Sequence, residues 1–294
     1  MQLDNFSSRE TALLTGALAF VRPGEMDPAL ADAVQIVKTD NFADECDQLA
    51  RYYAPLGLET RTSRPVFDTG RNGRHRILLN NAAISGLSFL HTLVGDLVHL
   101  NNLRRYTADH GNVYRFTQEQ AIAQSWYEFL VWTRFQAMRI ATRAHALVSW
   151  HEVNGEQPPA DGCYRFARVD LTSPGMTTSL EQLHRAEELA AWRAGLWDLL
   201  QELALYFGRL AFYQRDARPG ELDEAFPEQV LEETVGLNNV LSLYRLLLQA
   251  GSYDQWSGQW DALRGTVLAM QEHGRRRYAV GGAQTSPDTT GERS

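Results

Sequence analysis

The chain has 294 residues, 44% of them hydrophobic and 10% aromatic, enough apolar surface to build a packed core as one large domain or two ordinary ones. Its formal net charge is −8, with 28 basic and 36 acidic residues interspersed, so it carries no cationic footprint for nucleic acid or for an anionic membrane surface. Cys46 and Cys163 are too few and too far apart in sequence for a disulfide framework or a Cys-rich metal site. With no leader-like start and no apolar run of about 18 residues, a cytoplasmic protein that does not enter the membrane is expected.

In chain order, SSRETALLTGALAFV (7–21) predicts a helix capped by Ser7 or Ser8 and stopped by Pro23-Gly24. DPALADAVQIVK (27–38) and NFADECDQLARYYAPLG (41–57) read as two further helices, so three short helices precede the first strand signal. LETRTSRPVFDTG and RHRILLN, joined by the turn formers DTGRNG (68–73), predict a β-hairpin. Helical periodicity follows over about 87–105 and 117–149, separated by the polar turn TADHGN. The stretch 151–179 is rich in turn formers and reads as a loop-rich excursion, with CYRFARVDL as a possible strand. Helices are then expected over about 180–214, 227–250 and 256–273. The organisation this predicts is 1–150, the excursion 151–179, a C-terminal helical region 180–275 packing on the first part, and a disordered polar tail 276–294. The fold class is mainly α (α+β): a helical core with a small β-hairpin or sheet and a C-terminal helical bundle.

The chemistry concentrates in FLHTLVGDLVHLNNL (89–103), an apolar frame of the kind that holds a His-Glu-x-x-His helix. That spacing sets two imidazoles one turn apart on a zinc ion, with the Glu as general base. Residues 95–99 are Gly-Asp-Leu-Val-His, so Gly95 stands at the first His position, Asp96 at the Glu position, and His99 matches the second His. The strand-then-helix order of RHRILLNNAAISGLSFLHTLVGDLVHLNNLRRY (74–106) resembles the core of zincin-like metallopeptidases, including compact bacterial ones related to phage-regulator proteases. On the next helix VWTRFQAMR (131–139) is similar to the Trp-Ser/Thr-Glu-Phe/Tyr segment that supplies the third ligand in several bacterial zincin-like families, and Arg134 occupies the Glu position. A guanidinium stays protonated and repels a cation.

The resemblance therefore implies a zincin-like domain over 1–150 whose degenerate cleft, Gly95, Asp96, His99 and Arg134, holds no metal and no catalytic residue. The expected function is noncatalytic: a pseudo-metallopeptidase that binds or regulates, with a protein partner or a second copy docking on a surplus face of the C-terminal helices. The active alternative is a zinc-dependent hydrolase or peptidase using Asp96 and His99, spaced i,i+3 on one face, with Glu128 from the second helix. It lacks a base, because an Asp96 that binds metal is not free to activate water.

Structural roles stand beside each of these. His91 lies two turns, about 12 Å, from His99, too far to share an ion, and reads as a hydrogen-bonded structural histidine. Asp96 is expected to pair with Arg134 across the two helices, filling the place of the ion. Glu128 reads otherwise as a solvated position or a partner of Arg104 or Arg105. SWYEFLVW reads as core, and HEVNGE (151–156), with Gly155 where a second His would stand, as loop. There is no Walker-type phosphate loop, nucleophile elbow or Cys-x-x-Cys pattern, and Cys163 has no activating partner in the sequence.

Overall fold

The strands precede most of the helices in chain order. In the computed structural model, which describes residues 1–70, 74–156, 171, 173–215 and 226–282, β1 (Gln2–Asp4) pairs in parallel with β2 (Val34–Thr39). β2 pairs in parallel with β4 (His75–Asn80), and β3 (Ser63–Val66) closes the sheet antiparallel to β4, giving the order β1-β2-β4-β3. The hairpin is as expected, but β1 and β2 correct the reading of three helices before any strand. Only one turn, α2 (Leu30–Ala33), of the segment expected as the second helix is helical. Val34, Ile36 and Val37 form a short β-branched run whose period cannot separate strand from helix, and six register pairs with β4 decide it.

Two helices join the parallel strands. α1 (Ser8–Ala19) starts at a capping box in which the Ser7 hydroxyl accepts from Glu10 N at 3.2 Å and the Glu10 carboxylate accepts from Ser7 N at 2.8 Å. Lys38 then ties that carboxylate to β2 at 2.7 Å. α3 (Phe42–Ala50) packs on the outer face of β4, while α4 (Ser88–His110) packs on the inner face against β3 and β4. Leu90, Leu93, Val94, Leu97, Leu100 and Leu103 of α4 are fully buried, and so are its polar residues Asp96, His99, Asn101 and Asn102. Every residue from Asp96 to Leu103 is buried, so the middle of α4 is a central strut.

The helix expected over 117–149 is two elements, α5 (Gln118–Ala123) and α6 (Trp126–Asn154), broken at Ser125, whose φ of 58° is left-handed. Arg264 holds this elbow, donating to Ser125 Oγ at 2.6 Å, Ile122 O at 3.2 Å and Glu128 Oε1 at 3.4 Å. α6 runs antiparallel to α4 and enters the expected excursion from one side; α7 (Pro174–Arg185) enters it from the other, with Pro174 at its first turn and Ser173 as cap. The candidate strand CYRFARVDL, apart from Leu171, and Cys163 within it lie outside the described residues.

The two long C-terminal helices are each divided. α7 ends at Arg185 and α8 (Leu189–Arg215) begins after an extended Ala186. α9 (Glu228–Val235) and α10 (Leu237–Gln249) are separated by Gly236, whose φ of 80° is open to glycine at little cost. α11 (Tyr253–Ser257) and α12 (Trp260–Gly282) complete the order, and α12 continues into the stretch expected to be disordered from 276. The fold is thus mainly α with a small four-stranded sheet, and among the described residues no helix is long and apolar enough to cross a membrane.

One contiguous cluster of buried side chains extends from Leu14 to Met270 and includes Ile36 and Ile77 of the sheet, Leu97 of α4, Phe135 of α6 and Leu203 of α8. α6 is its axis. Trp132 Nε1 and Gln136 Nε2 both donate to Ala250 O, at 2.8 and 2.6 Å, satisfying a carbonyl left open at the end of α10. α8 crosses α6 at Gly208, where a Cβ would stand 2.7 Å from Met138 Cβ and 2.8 Å from Phe135 O. Because one of these atoms is backbone, the helices cannot yield locally. Gly208→Ala is expected to destabilise the protein by about 1–3 kcal/mol despite alanine's higher helix propensity, read as a lowered urea midpoint. A midpoint unchanged or raised would show that the two helices do not approach this closely.

Candidate functional site

Gly95, Asp96 and His99 are brought to the interface between α4, α6 and β3, but not all in one direction. A Cβ on Gly95 would meet Ala141 Cβ of α6 at 3.9 Å, so this position faces α6 with ordinary space around it. Asp96 is turned to the sheet edge, where the Ser63 hydroxyl faces its carboxyl. Burial raises its pKa to about 7, Ser63 holds it down somewhat, and the nearby Glu59 raises it further. Its Oδ2 atom is buried with no hydrogen-bond partner. A carboxyl in such surroundings keeps its proton until near-neutral pH.

His99 ends a buried hydrogen-bonded chain. Asp27 N donates to Asn101 Oδ1 at 2.8 Å, Asn101 Nδ2 donates to Asn102 Oδ1 at 3.3 Å, and Asn102 Nδ2 donates to Thr133 Oγ1 at 3.0 Å. Thr133 Oγ1 in turn lies 3.2 Å from His99 Nδ1. Burial lowers the His99 pKa to about 3, assisted by the positive charge of Arg134, so the imidazole is neutral. The chain fixes the ring orientation from the α1–α2 loop through two helices.

Arg134 does not pair with Asp96, which corrects the expected ion pair. Its guanidinium donates to the carbonyl of Gly57, and its charge is balanced by Glu202 and Asp198 of α8 and by Glu59. The reason is helical phase. Thr133, one residue earlier and therefore about 100° around the helix, is the side chain that faces His99, and Arg134 is rotated toward the 57–59 turn.

Glu128 stands apart from Asp96 and His99. It pairs with Arg264 at the α5–α6 elbow, not with Arg104 or Arg105, which pair with Asp27 and Asp254. Its charge acts on Tyr106, seven residues or about two turns along α4 from His99. Among the described residues no group of three His, Cys, Asp or Glu is close enough to hold a metal ion. His91 is a half-buried neighbour of Thr142, with Nε2 3.3 Å from its hydroxyl, and packs edge-on against His145 at 6.0 Å. His151 and Glu152 lie on the last turn of α6, not in a loop.

The donor set does not fit zinc. It offers one imidazole, one carboxyl that burial keeps protonated, and a guanidinium whose field opposes a cation at His99. Thr133, Asn102 and Ser63 belong to this site and were not singled out in the sequence. One signal was available for Asn102: with Asp96 and His99 it continues an i,i+3 polar stripe down an otherwise apolar helix. Compared with known proteins, the chain matches no family model, no curated protein and no solved structure.

Proposed function

We propose that this chain is a zincin-like pseudo-metallopeptidase, a protein that keeps a peptidase-type scaffold and works by binding or regulation without cleaving a substrate. The observation that carries this reading lies at the motif helix: Asp96 faces the edge strand from the position of a general base, yet burial raises its pKa to about 7, and among the described residues no group of metal-ligating side chains surrounds it. The order of hairpin, motif helix and antiparallel second helix supports the resemblance. The closed chain from Asn101 to His99 supports a structural use of the surviving histidine.

The test is metal content, measured on protein purified without chelator and equilibrated with zinc. The wild type is expected to retain far less than one equivalent. Stoichiometric zinc that disappears in His99→Ala would overturn the noncatalytic reading and favour the hydrolase. The triple variant Gly95→His, Asp96→Glu, Arg134→Glu is expected to gain zinc affinity, since a Cβ at Gly95 meets α6 only at ordinary contact distance and the Arg134 charge is removed. A folded triple variant that takes up no zinc would overturn the zincin-like reading itself.

A further inference from the structure

A hollow lies on the face of the sheet opposite α4. The pleat sends Ser63 toward Asp96 and turns the alternate residues Val66, Arg76 and Leu78 outward, where α3 covers part of them. Between α3 and this outer face is a cavity of about 330 Å³, within the range of small-molecule sites. Its floor is apolar, formed by Leu49, Val66 and Leu78. Tyr53 and Tyr52 form a wall, and Tyr52 is 80% exposed, so its ring is open to a ligand.

The charges around the cavity are unequal in availability. Its two acids are already engaged: Asp68 Oδ1 accepts from Gly70 N at 2.7 Å and the carboxylate faces the Tyr53 hydroxyl, while Glu45 accepts from Thr39 at 2.5 Å. The carbonyls at the end of α3 are also taken, with Leu49 O accepting from Tyr52 N and Tyr53 N. Arg74 and Arg76 line the same cavity and form no ion pair among the described residues. Arg74 stands just before β4 and Arg76 within it, and since both line the cavity their two guanidinium groups can converge there on one anionic head.

We propose that this cavity binds a small organic anion with a planar, apolar body, its carboxylate or phosphate held by Arg74 and Arg76 and its ring laid against Tyr52 and Tyr53. The site is independent of any metal reading of the α4–α6 cleft, since the two lie on opposite faces of the sheet. Calorimetric titration of the full chain with phenyl phosphate, phenylacetate, inorganic phosphate and benzyl alcohol tests it. At least one of the two aryl anions is expected to bind about tenfold more tightly than both inorganic phosphate and the neutral alcohol, and the better of them identifies the head group. Arg74→Glu with Arg76→Glu is expected to weaken that binding by tenfold or more, about 1.4 kcal/mol, and Tyr52→Ala to weaken it as well. Tyr52 is exposed, so its variant decides the matter even if the charge reversals disturb the turn. Binding of neither aryl anion, equal binding of inorganic phosphate, or affinities unchanged in Tyr52→Ala would overturn the proposal.

Discussion

Arg143→Ala is expected to destabilise the protein by about 3–5 kcal/mol, the cost of leaving a buried carboxylate without its main partner. Arg143 projects from α6 and is only 3% exposed in its side chain, and Glu25 in the α1–α2 loop is 11% exposed. The guanidinium makes a two-pronged contact with Glu25, of which Nη1 to Oε1 is 3.1 Å, and its Nε donates to Phe20 O at 3.1 Å. Arg139 approaches the same carboxylate at 3.5 Å, and Arg22 N donates to it at 2.9 Å. One acidic side chain therefore closes the loop onto α6, and the same loop supplies Asp27 N to the chain that ends at His99.

Because the pair acts as one unit, its variants should not add. Glu25→Ala is expected to cost as much as Arg143→Ala, and the double variant little more than the worse single one, measured as denaturant midpoints with unchanged slope. Additive costs would show that the two side chains stabilise the fold through separate contacts. A secondary effect follows at the cleft: with the loop released, Asn101 loses its anchor, and exchange protection at His99 and Thr133 should fall.

What could be read in the sequence was the local chemistry, and what could not was the partner of each side chain. The hairpin of β3 and β4 was legible because turn formers separate two β-rich runs, and α4 because its apolar period is unbroken from Leu90 to Tyr106. β2 was not, because its identity comes from β4, about forty residues later. The breaks after Arg185 and at Ser125 carry no proline or glycine and depend on tertiary packing, including Arg264 reaching back from α12 to the elbow. Gly236 did carry a signal, a glycine between two apolar runs, and it marks the turn. At the site, spacing put Asp96 and His99 on one helix, but it could not give the rotation of α6. A 100° difference between adjacent residues placed Thr133 on His99 and sent Arg134 to Gly57.

The ionisation of Asp96 is itself a test of the site. Asp96→Asn is expected to be more stable than the wild type by about 2–4 kcal/mol at pH 8 and to lose that advantage toward pH 4. The sign follows from linkage. Asp96 has a folded pKa of about 7 against an ordinary value of 3.8, so the native state keeps a proton that the unfolded chain releases. Its contribution is full below pH 3.8 and is lost as pH rises through 7. His75, His91 and His99 work in the opposite direction, with folded pKa values lowered to about 4, 3 and 3 by burial, so their contribution is present above 6.5 and is lost in acid.

The wild-type curve should therefore climb from acid toward neutrality through the three histidines, with Asp96 opposing part of that rise, and level off above about pH 7. Subtracting the wild-type curve from that of Asp96→Asn isolates the carboxyl, since the histidines are common to both. The difference should climb between pH 4 and 7 and then level off. A carboxylate that binds a cation would behave in reverse: its folded pKa would lie below 3.8, and replacing it would cost more as pH rises. The slope of one difference curve thus separates a cleft that shelters a neutral acid from one that holds a metal ion.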